Sequence, residues 1–331
     1  MAHLVSKNFR EEYFMKTGVV LLNMGGPSSL EQVLPFLTGL FNDPRILGIR
    51  NGLVRKALAS YIISRRLPTA ISHYELIGGK SPLLEHTEKL APKVEQELAQ
   101  LGIEAMVAAG MRYLEPRTPA TVQQLVEKGC SRIIGFSMYP HYSLSTTGSS
   151  VEDFQQATQD IQGVQTHLVE SYPDERFYIA AMRQKIDQAL QKCQHKPLLL
   201  FCAHSLPEKL IRSGDPYRDH IYRTVQALLE FYPDYAHDVV FQSRATRGKW
   251  LEPDIDHRLP ELVDEGHENM LVVPVSFTCD NVETVYELEM EHRELAGVVG
   301  VKEYAVVECL NDSDLFAHAI AHMISRELNH D

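Results

Sequence analysis

The chain has 331 residues, with 44 acidic against 32 basic side chains and a formal net charge of −12. That balance excludes a general nucleic-acid binder, whose phosphate contacts need clustered Lys and Arg. A content of 44% hydrophobic and 23% charged residues excludes a disordered or fibrous chain.

Short apolar runs alternate with longer amphipathic stretches. Taken in chain order, strands are expected at 18–24, 105–112, 134–139, 167–172, 198–203, 239–243, 270–277 and 304–310. Helices are expected at 87–101, 119–128, 174–192, 216–232, 282–295 and 312–328. Most of the strand runs are almost continuously apolar, as strands covered on both faces are. Strand alternating with helix implies right-handed βαβ units and parallel sheets, hence an α/β fold. Eight strands fit two doubly wound halves, 16–172 and 173–311, with the boundary at Tyr172-Pro173-Asp174. The closing helix, 312–331, is expected to pack back on the first half. The halves echo each other: an apolar strand runs into a polar loop and a Pro at 19–27 and again at 198–207. Ligands of such sheets bind beyond the carboxyl ends of the strands, so a cleft between the halves is the expected site.

Cys130, Cys193, Cys202, Cys279 and Cys309 are odd in number and form no CxxC pair. They point to buried thiols in a reducing compartment and give no zinc or iron–sulfur spacing. Residues 1–16 carry charges and no apolar signal core, and no stretch reaches the roughly 18 apolar residues of a membrane span. The expectation is a cytoplasmic protein, at most peripheral at a membrane.

Several loops carry chemistry-bearing residues, each with a plain alternative. Asn23-Met24-Gly25-Gly26-Pro27 lacks the spacing of a phosphate loop and reads equally as a tight turn. Residues 44–74 hold Arg45, Arg50, Arg55, Lys56, Arg65 and Arg66 with no Asp or Glu, interleaved with apolar side chains. Such a stretch suits an anionic, greasy partner, either a bilayer surface or an amphipathic ligand with carboxylates; the alternative is a core helix with a basic outer face. Gly78-Gly79-Lys80-Ser81-Pro82 reads as a helix-entry turn. Arg112 and Tyr113 close the second strand, and an aromatic and hydroxyl-rich run covers 136–150. His204 stands at the end of an apolar strand, where an imidazole serves as base or Fe²⁺ ligand. Glu283, Glu287 and Glu291, spaced i, i+4, i+8, line one helical face. They form either a solvated ladder or a row of hard oxygen ligands for a divalent ion.

Taken together, the motifs resemble ferrochelatases of the protoporphyrin type over nearly the whole chain. The residues that carry the resemblance are NMGGP at 23–27, IGGKSP at 77–82, GMRY at 110–113, YPHYSLSTTGSS at 139–150, AHSLPEKL at 203–210 and GDPY at 214–217. FQSR at 241–244, PVSFTCDNVETVYELE at 274–289 and CLNDSDLF at 309–316 complete it. The resemblance implies two similar Rossmann-like halves, each a parallel sheet flanked by helices, around a porphyrin cleft. It implies that Fe²⁺ is inserted into protoporphyrin IX to form protohaem, both being substrates, with no tightly bound cofactor. It assigns His204 and Glu283 as catalytic and metal-meeting residues, and Asp280, Glu287 and Glu291 as a path for metal or protons. It places Met24, Arg66, Tyr74, Ser81, Arg112, Tyr113, Tyr139, Ser243, Trp250 and Phe277 around the macrocycle, with Arg66 and Ser81 holding propionates. It makes 44–74 a lip that meets the membrane.

The departures are Asn281, where several relatives carry a His, and Leu144, where cluster-bearing relatives carry a Cys. With no Cys-rich run after Leu328 either, no [2Fe–2S] cluster is expected. Two rivals stay open at this point. A non-catalytic tetrapyrrole carrier would not need His204 facing Glu283. A chelatase for cobalt, coproporphyrin or sirohydrochlorin would differ in substrate, and the many carboxylates of sirohydrochlorin call for a broader basic site than one arginine-rich lip.

Overall fold

A computed structural model describes residues 16–244 and 248–329. Residues 1–15, which include nearly all of the stretch read as lacking a signal core, lie outside them, as do the last two positions of the expected closing helix.

The strands form two parallel sheets of four. β1 (Thr17–Asn23), β2 (Ala105–Met111), β3 (Arg132–Ser137) and β4 (Gln165–Val169) are ordered β2-β1-β3-β4. β5 (Leu198–His204), β6 (His237–Gln242), β7 (Asn269–Pro274) and β8 (Glu303–Val306) are ordered β6-β5-β7-β8. The two orders are the same once the second set is renumbered, which gives the weak sequence echo its structural meaning. β1 is buried along its whole length and β5 along all but its last residue. They are central strands, with neighbours on both edges and helices on both faces, and need unbroken apolar runs.

Twelve α-helices flank the sheets among the described residues: α1 (Val33–Asn42), α2 (Pro44–Leu47), α3 (Gly52–Leu76), α4 (Leu83–Gln100), α5 (Thr118–Glu127), α6 (Thr147–Thr158), α7 (Arg176–Leu190), α8 (Glu208–Arg212), α9 (Tyr217–Leu229), α10 (Ile255–Asp264), α11 (His292–Val299) and α12 (Asp314–Leu328). One apolar core joins the facing layers of both sheets. Leu21 and Phe136 from the first and Phe201 and Leu271 from the second share it with Tyr178 of α7 and Phe316 and Ile320 of α12. Each such side chain contributes about 1.5–3 kcal/mol by leaving water. The outer faces are covered separately, by α5 and α6 over the first sheet and by α10 and α11 over the second. The closing helix α12 lies against α4, α7 and β4. A further small core under α1 and α3, including Phe36, Phe41, Ile63 and Tyr113, attaches these helices as a cap beside the first sheet.

All eight expected strands are present, shifted by a few residues at their ends. The expected helix at 282–295 is different in kind: it runs as a π-helix over Glu283–Glu291 and continues as α11. α1, α6 and α10 were not expected. Pro35 and Gly39 in α1 and Pro260 in α10 read as breakers in the sequence, and the hydroxyl-rich start of α6 reads as a loop.

Candidate active site

In a sheet ordered 2-1-3-4 the chain leaves strands 1 and 3 in opposite directions, opening a crevice at their carboxyl ends. His204 is the last residue of β5, at that point in the second sheet. Its backbone N–H donates to Ser276 Oγ, just beyond β7, at 3.0 Å. Its carbonyl accepts the Tyr217 hydroxyl at 3.0 Å. The imidazole Nδ1–H donates to the Ser205 carbonyl at 2.6 Å, which leaves Nε2 facing Glu283 Oε1 at 3.4 Å. The two side chains keep 31% and 29% of their surface open. A ring fixed at one nitrogen, with the other beside a carboxylate in a crevice, is the arrangement of a general base.

Gln242 ends β6 and organises the carboxylates. Its buried amide nitrogen donates to the Glu283 carbonyl at 3.2 Å and to Glu287 Oε2 at 3.1 Å, and its oxygen accepts the Cys202 thiol. Ser243, held at φ +66, donates its hydroxyl to the same Glu287 oxygen. Burial opposes a charged His204, but the Glu283 carboxylate and the Ser205 carbonyl outweigh it and lift the pKa to about 9. Burial, then repulsion from Glu283, lifts Glu287 to about 7. Glu291, at the far end of the row, is exposed. The ladder expected from i, i+4 spacing therefore runs from crevice to solvent, although on a π register.

The first half closes the other side. Burial foremost, with the Glu283 carboxylate adding to it, pushes the phenol pKa values of Tyr74 and Tyr139 upward, as it does for Tyr217. Three neutral hydroxyls from α3, the loop after β3 and α9 thus stand within electrostatic reach of one carboxylate. The Met24 N–H donates to Asn23 Oδ1 at 2.8 Å, and the Met138 N–H to the Leu22 carbonyl at 2.9 Å, which holds the loops after β1 and β3 side by side. Phe277 is partly open in the turn after β7. The loop carrying Trp250 braces the one after His204, through a Pro207–Trp250 bridge and the Leu251 N–H to Leu206 carbonyl bond of 2.9 Å. Arg66 is partly exposed on α3, its guanidinium 5.7 Å from the centre of the Phe41 ring.

Other expected site residues are engaged elsewhere. Arg112 donates to Ser149 Oγ at 2.8 Å, Asp43 Oδ2 at 3.1 Å and Asp153 Oδ1 at 3.3 Å. Tyr113 gives its hydroxyl to the same Asp43 oxygen at 3.1 Å. Ser81 is buried against Gly26: a Cβ on Gly26 would meet Ser81 Oγ at 2.5 Å, and the Ser81 N–H donates to the Pro27 carbonyl at 2.7 Å. The two glycine-rich motifs thus pack on each other. Asp280 accepts from Asn311 Nδ2 at 2.6 Å and from Thr284 Oγ1 at 3.0 Å, and no bond or pair links it to Glu283 or Glu287. His141, in the aromatic run, is buried against Thr224 at 2.8 Å and kept neutral, its pKa pushed down to about 3 by burial. Tyr217, Gln242 and Ser276 were missed; each lies in a quoted motif, and the available signal was the position of Gln242 and Ser276 at strand ends and of Tyr217 at the start of α9. Among the described residues, no group of three or more His, Cys, Asp or Glu side chains gathers in a way that could hold a metal ion.

The family model for ferrochelatase matches residues 16–328. The chain belongs to the ferrochelatase family. It is 39% identical to the ferrochelatase of Geotalea daltonii over 93% of this chain and 97% of that one. It is 36% identical to that of Aquifex aeolicus over 95% and 100%, and 39% identical to that of Wolinella succinogenes over 94% and 99%. In fold it is similar to SirB from Bacillus subtilis, solved with Fe³⁺, at a TM-score of 0.58 and 11% identity over 95% of this chain and 96% of the other. CbiX, the terminal enzyme of sirohaem biosynthesis in denitrifying bacteria, gives a TM-score of 0.53 at 14% identity over 94% and 98%. These chelatase folds agree with two Rossmann-like halves.

Proposed function

We propose that this chain inserts Fe²⁺ into protoporphyrin IX, with His204 and Glu283 as the pair that meets the metal and removes the protons. Family membership carries the reaction, metal insertion into a porphyrin in haem synthesis. The 3.4 Å contact between His204 Nε2 and Glu283 Oε1 is the observation that carries the residues.

Insertion breaks the two inner N–H bonds of the macrocycle, forms nitrogen–iron bonds and releases two protons. The ring, gripped at its rim, is bent so that a nitrogen lone pair points at the incoming ion, and the gripping contacts supply the energy of distortion. Met24, Tyr74, Tyr139, Trp250 and Phe277 form or brace the walls, and Arg66 holds a propionate. Arg112 and Tyr113, saturated by Asp43, stiffen the wall from behind. While Glu283 is ionised, its field keeps a proton on His204. Fe²⁺ arriving at Glu283 cancels that field. His204 then sheds its proton toward Glu287, held by Ser243, and on to Glu291, and Nε2 takes the next one from the porphyrin. Asp280, tied to Asn311, is left out of this route. Oxygen and imidazole donors suit a route that must release its iron, where thiolates would retain soft metals.

The division at Tyr172-Pro173 gives each half one sheet, with α12 returning to the first. On α3, Leu53 (82% exposed), Val54, Leu58 and Tyr61 face solvent together with Lys56 and Arg65. In this reading they meet an anionic membrane surface, and the protein is cytoplasmic and peripheral. Among the described residues no helix is long and apolar enough to cross a membrane. Flotation with anionic liposomes tests the contact, and protein left wholly in solution contradicts it.

The decisive assay mixes protein, protoporphyrin IX and Fe²⁺ anaerobically and follows the absorbance spectrum. Catalytic appearance of the metalloporphyrin is expected. Turnover with coproporphyrin or cobalt instead overturns the substrate, and binding without metallation overturns the enzyme reading in favour of a carrier.

A further inference from the structure

The segment carrying Glu283 and Glu287 is a π-helix that reverts to an α-helix at His292. A π register pairs each N–H with the carbonyl five residues back, holding one more residue per hydrogen-bonded loop than an α-helix does. It is maintained only where surroundings favour it. At the junction, the Glu287 carbonyl accepts the backbone N–H of His292, and also the Nδ1–H of the same residue at 2.6 Å. The other ring nitrogen, Nε2, lies 3.1 Å from Asp256 Oδ1 in the first turn of α10, a helix packed against α11. The imidazole is 7% exposed, so protein groups and not water satisfy it. Both nitrogens face acceptors, and only a ring that donates from both satisfies them. Burial disfavours that charged form, and Asp256 and the Glu287 carbonyl reverse the balance, so the pKa stands above its ordinary value.

We propose that His292 is a positioning residue for metal insertion: it pins the π-to-α junction to the amino end of α10 and so holds Glu283 and Glu287 at their places facing His204. It touches neither porphyrin nor metal, and the inference rests on the assignment of His204 and Glu283 above. If the junction relaxed to an α register with α11 fixed, every residue before it would move by about one position, roughly 1.5 Å of rise plus a rotation. Gln242, which now bridges the Glu283 carbonyl and Glu287 Oε2, would lose one of the two. Misplacement of a reacting group by about 1 Å costs on the order of a hundredfold in rate.

The test uses the full chain with Fe²⁺ and protoporphyrin IX, measuring kcat, KM for each substrate and thermal unfolding. The amide nitrogen of Asn sits near the place of Nδ1, and that of Gln near Nε2. His292→Ala is expected to lower kcat about tenfold to a hundredfold with porphyrin KM unchanged within about twofold. His292→Asn, which keeps the donor to the Glu287 carbonyl, recovers most of that loss, and His292→Gln does not. Wild-type kcat in His292→Ala, equal rescue by Asn and Gln, or a loss that merely follows the unfolded fraction overturns the proposal. Should the His292 variants fail to fold, Asp256→Ala removes the outer tether alone: a fall in kcat of about threefold at constant KM supports the pin, and an unchanged kcat overturns it. Absence of metal insertion by the unmodified chain would instead defeat the assignment on which the pin rests.

Discussion

Two clusters of carboxylate and cation sit at strand ends, one in each half, and they differ in saturation. Around Arg112, the guanidinium meets Ser149, Asp43 and Asp153, and the Asp43 carboxylate also accepts the Arg45 N–H at 2.8 Å and the Tyr113 hydroxyl. Its side chain is 2% exposed. Of the cluster's four carboxylate oxygens three are bonded and Asp153 Oδ2 is not, and the cluster fastens α2 and the cap beside it to the sheet. Around His204, the partners stand 3.4 Å apart, Nε2 has no other bond, and the crevice side is open. The same kinds of residue serve architecture where their bonds are filled and chemistry where one is kept free.

The comparison breaks most sharply on activity. His204→Ala is expected to lower kcat by about 10³, within the range for a lost general base, while porphyrin binding stays within about twofold and the thermal midpoint barely moves. Steady-state metallation beside fluorescence titration of the porphyrin checks it; a loss confined to KM would place His204 with the binding residues. Arg112→Ala should reverse the pattern. It leaves Asp43 buried without its cation, a loss of about 3 kcal/mol measured by denaturant unfolding, with kcat of the folded fraction close to wild type. An equally stable variant with lost turnover would move Arg112 into the chemistry.

A smaller effect separates the two clusters by pH. Burial lifts Glu287 from 4.5 to about 7. Across that window the folded protein therefore holds a proton that the unfolded chain has released, so this group's contribution to stability falls as pH rises. His204, lifted to about 9, acts in the same direction over a higher window: its stabilisation is complete below 6.5 and is lost as pH climbs through 9. Glu287→Gln removes the first effect. Its thermal midpoint relative to wild type should rise between pH 5 and pH 8, and a constant difference would show that Glu287 ionises normally.

Much of the frame was legible because both sheets bury their central strands on two faces, so TGVVLLN and LLLFCAH read as strands without help from context. The helices that escaped notice carry Pro35, Pro260 or a Thr-Gly-Ser-Ser start, signals that tertiary packing overrides. α3 stood as one of two alternatives for 44–74, because its exposed Leu53, Val54 and Tyr61 spoil the apolar stripe by which a helix is recognised. In the site, strand termini made His204 visible and helical spacing made Glu283 and Glu287 visible. The π register was hidden, since it depends on His292 and Asp256 meeting across 36 residues of chain. The contacts that engage Arg112, Tyr113 and Ser81 were not legible, because their partners, Asp43, Asp153 and Gly26, are distant in sequence.

The most direct test is a single turnover with His204→Ala in excess over protoporphyrin IX, Fe²⁺ added without oxygen and the spectrum of the bound ring followed. The account predicts a porphyrin that binds and stays free base while wild-type protein converts it to haem. Conversion at the wild-type rate would contradict it and remove His204 from the centre of the reaction.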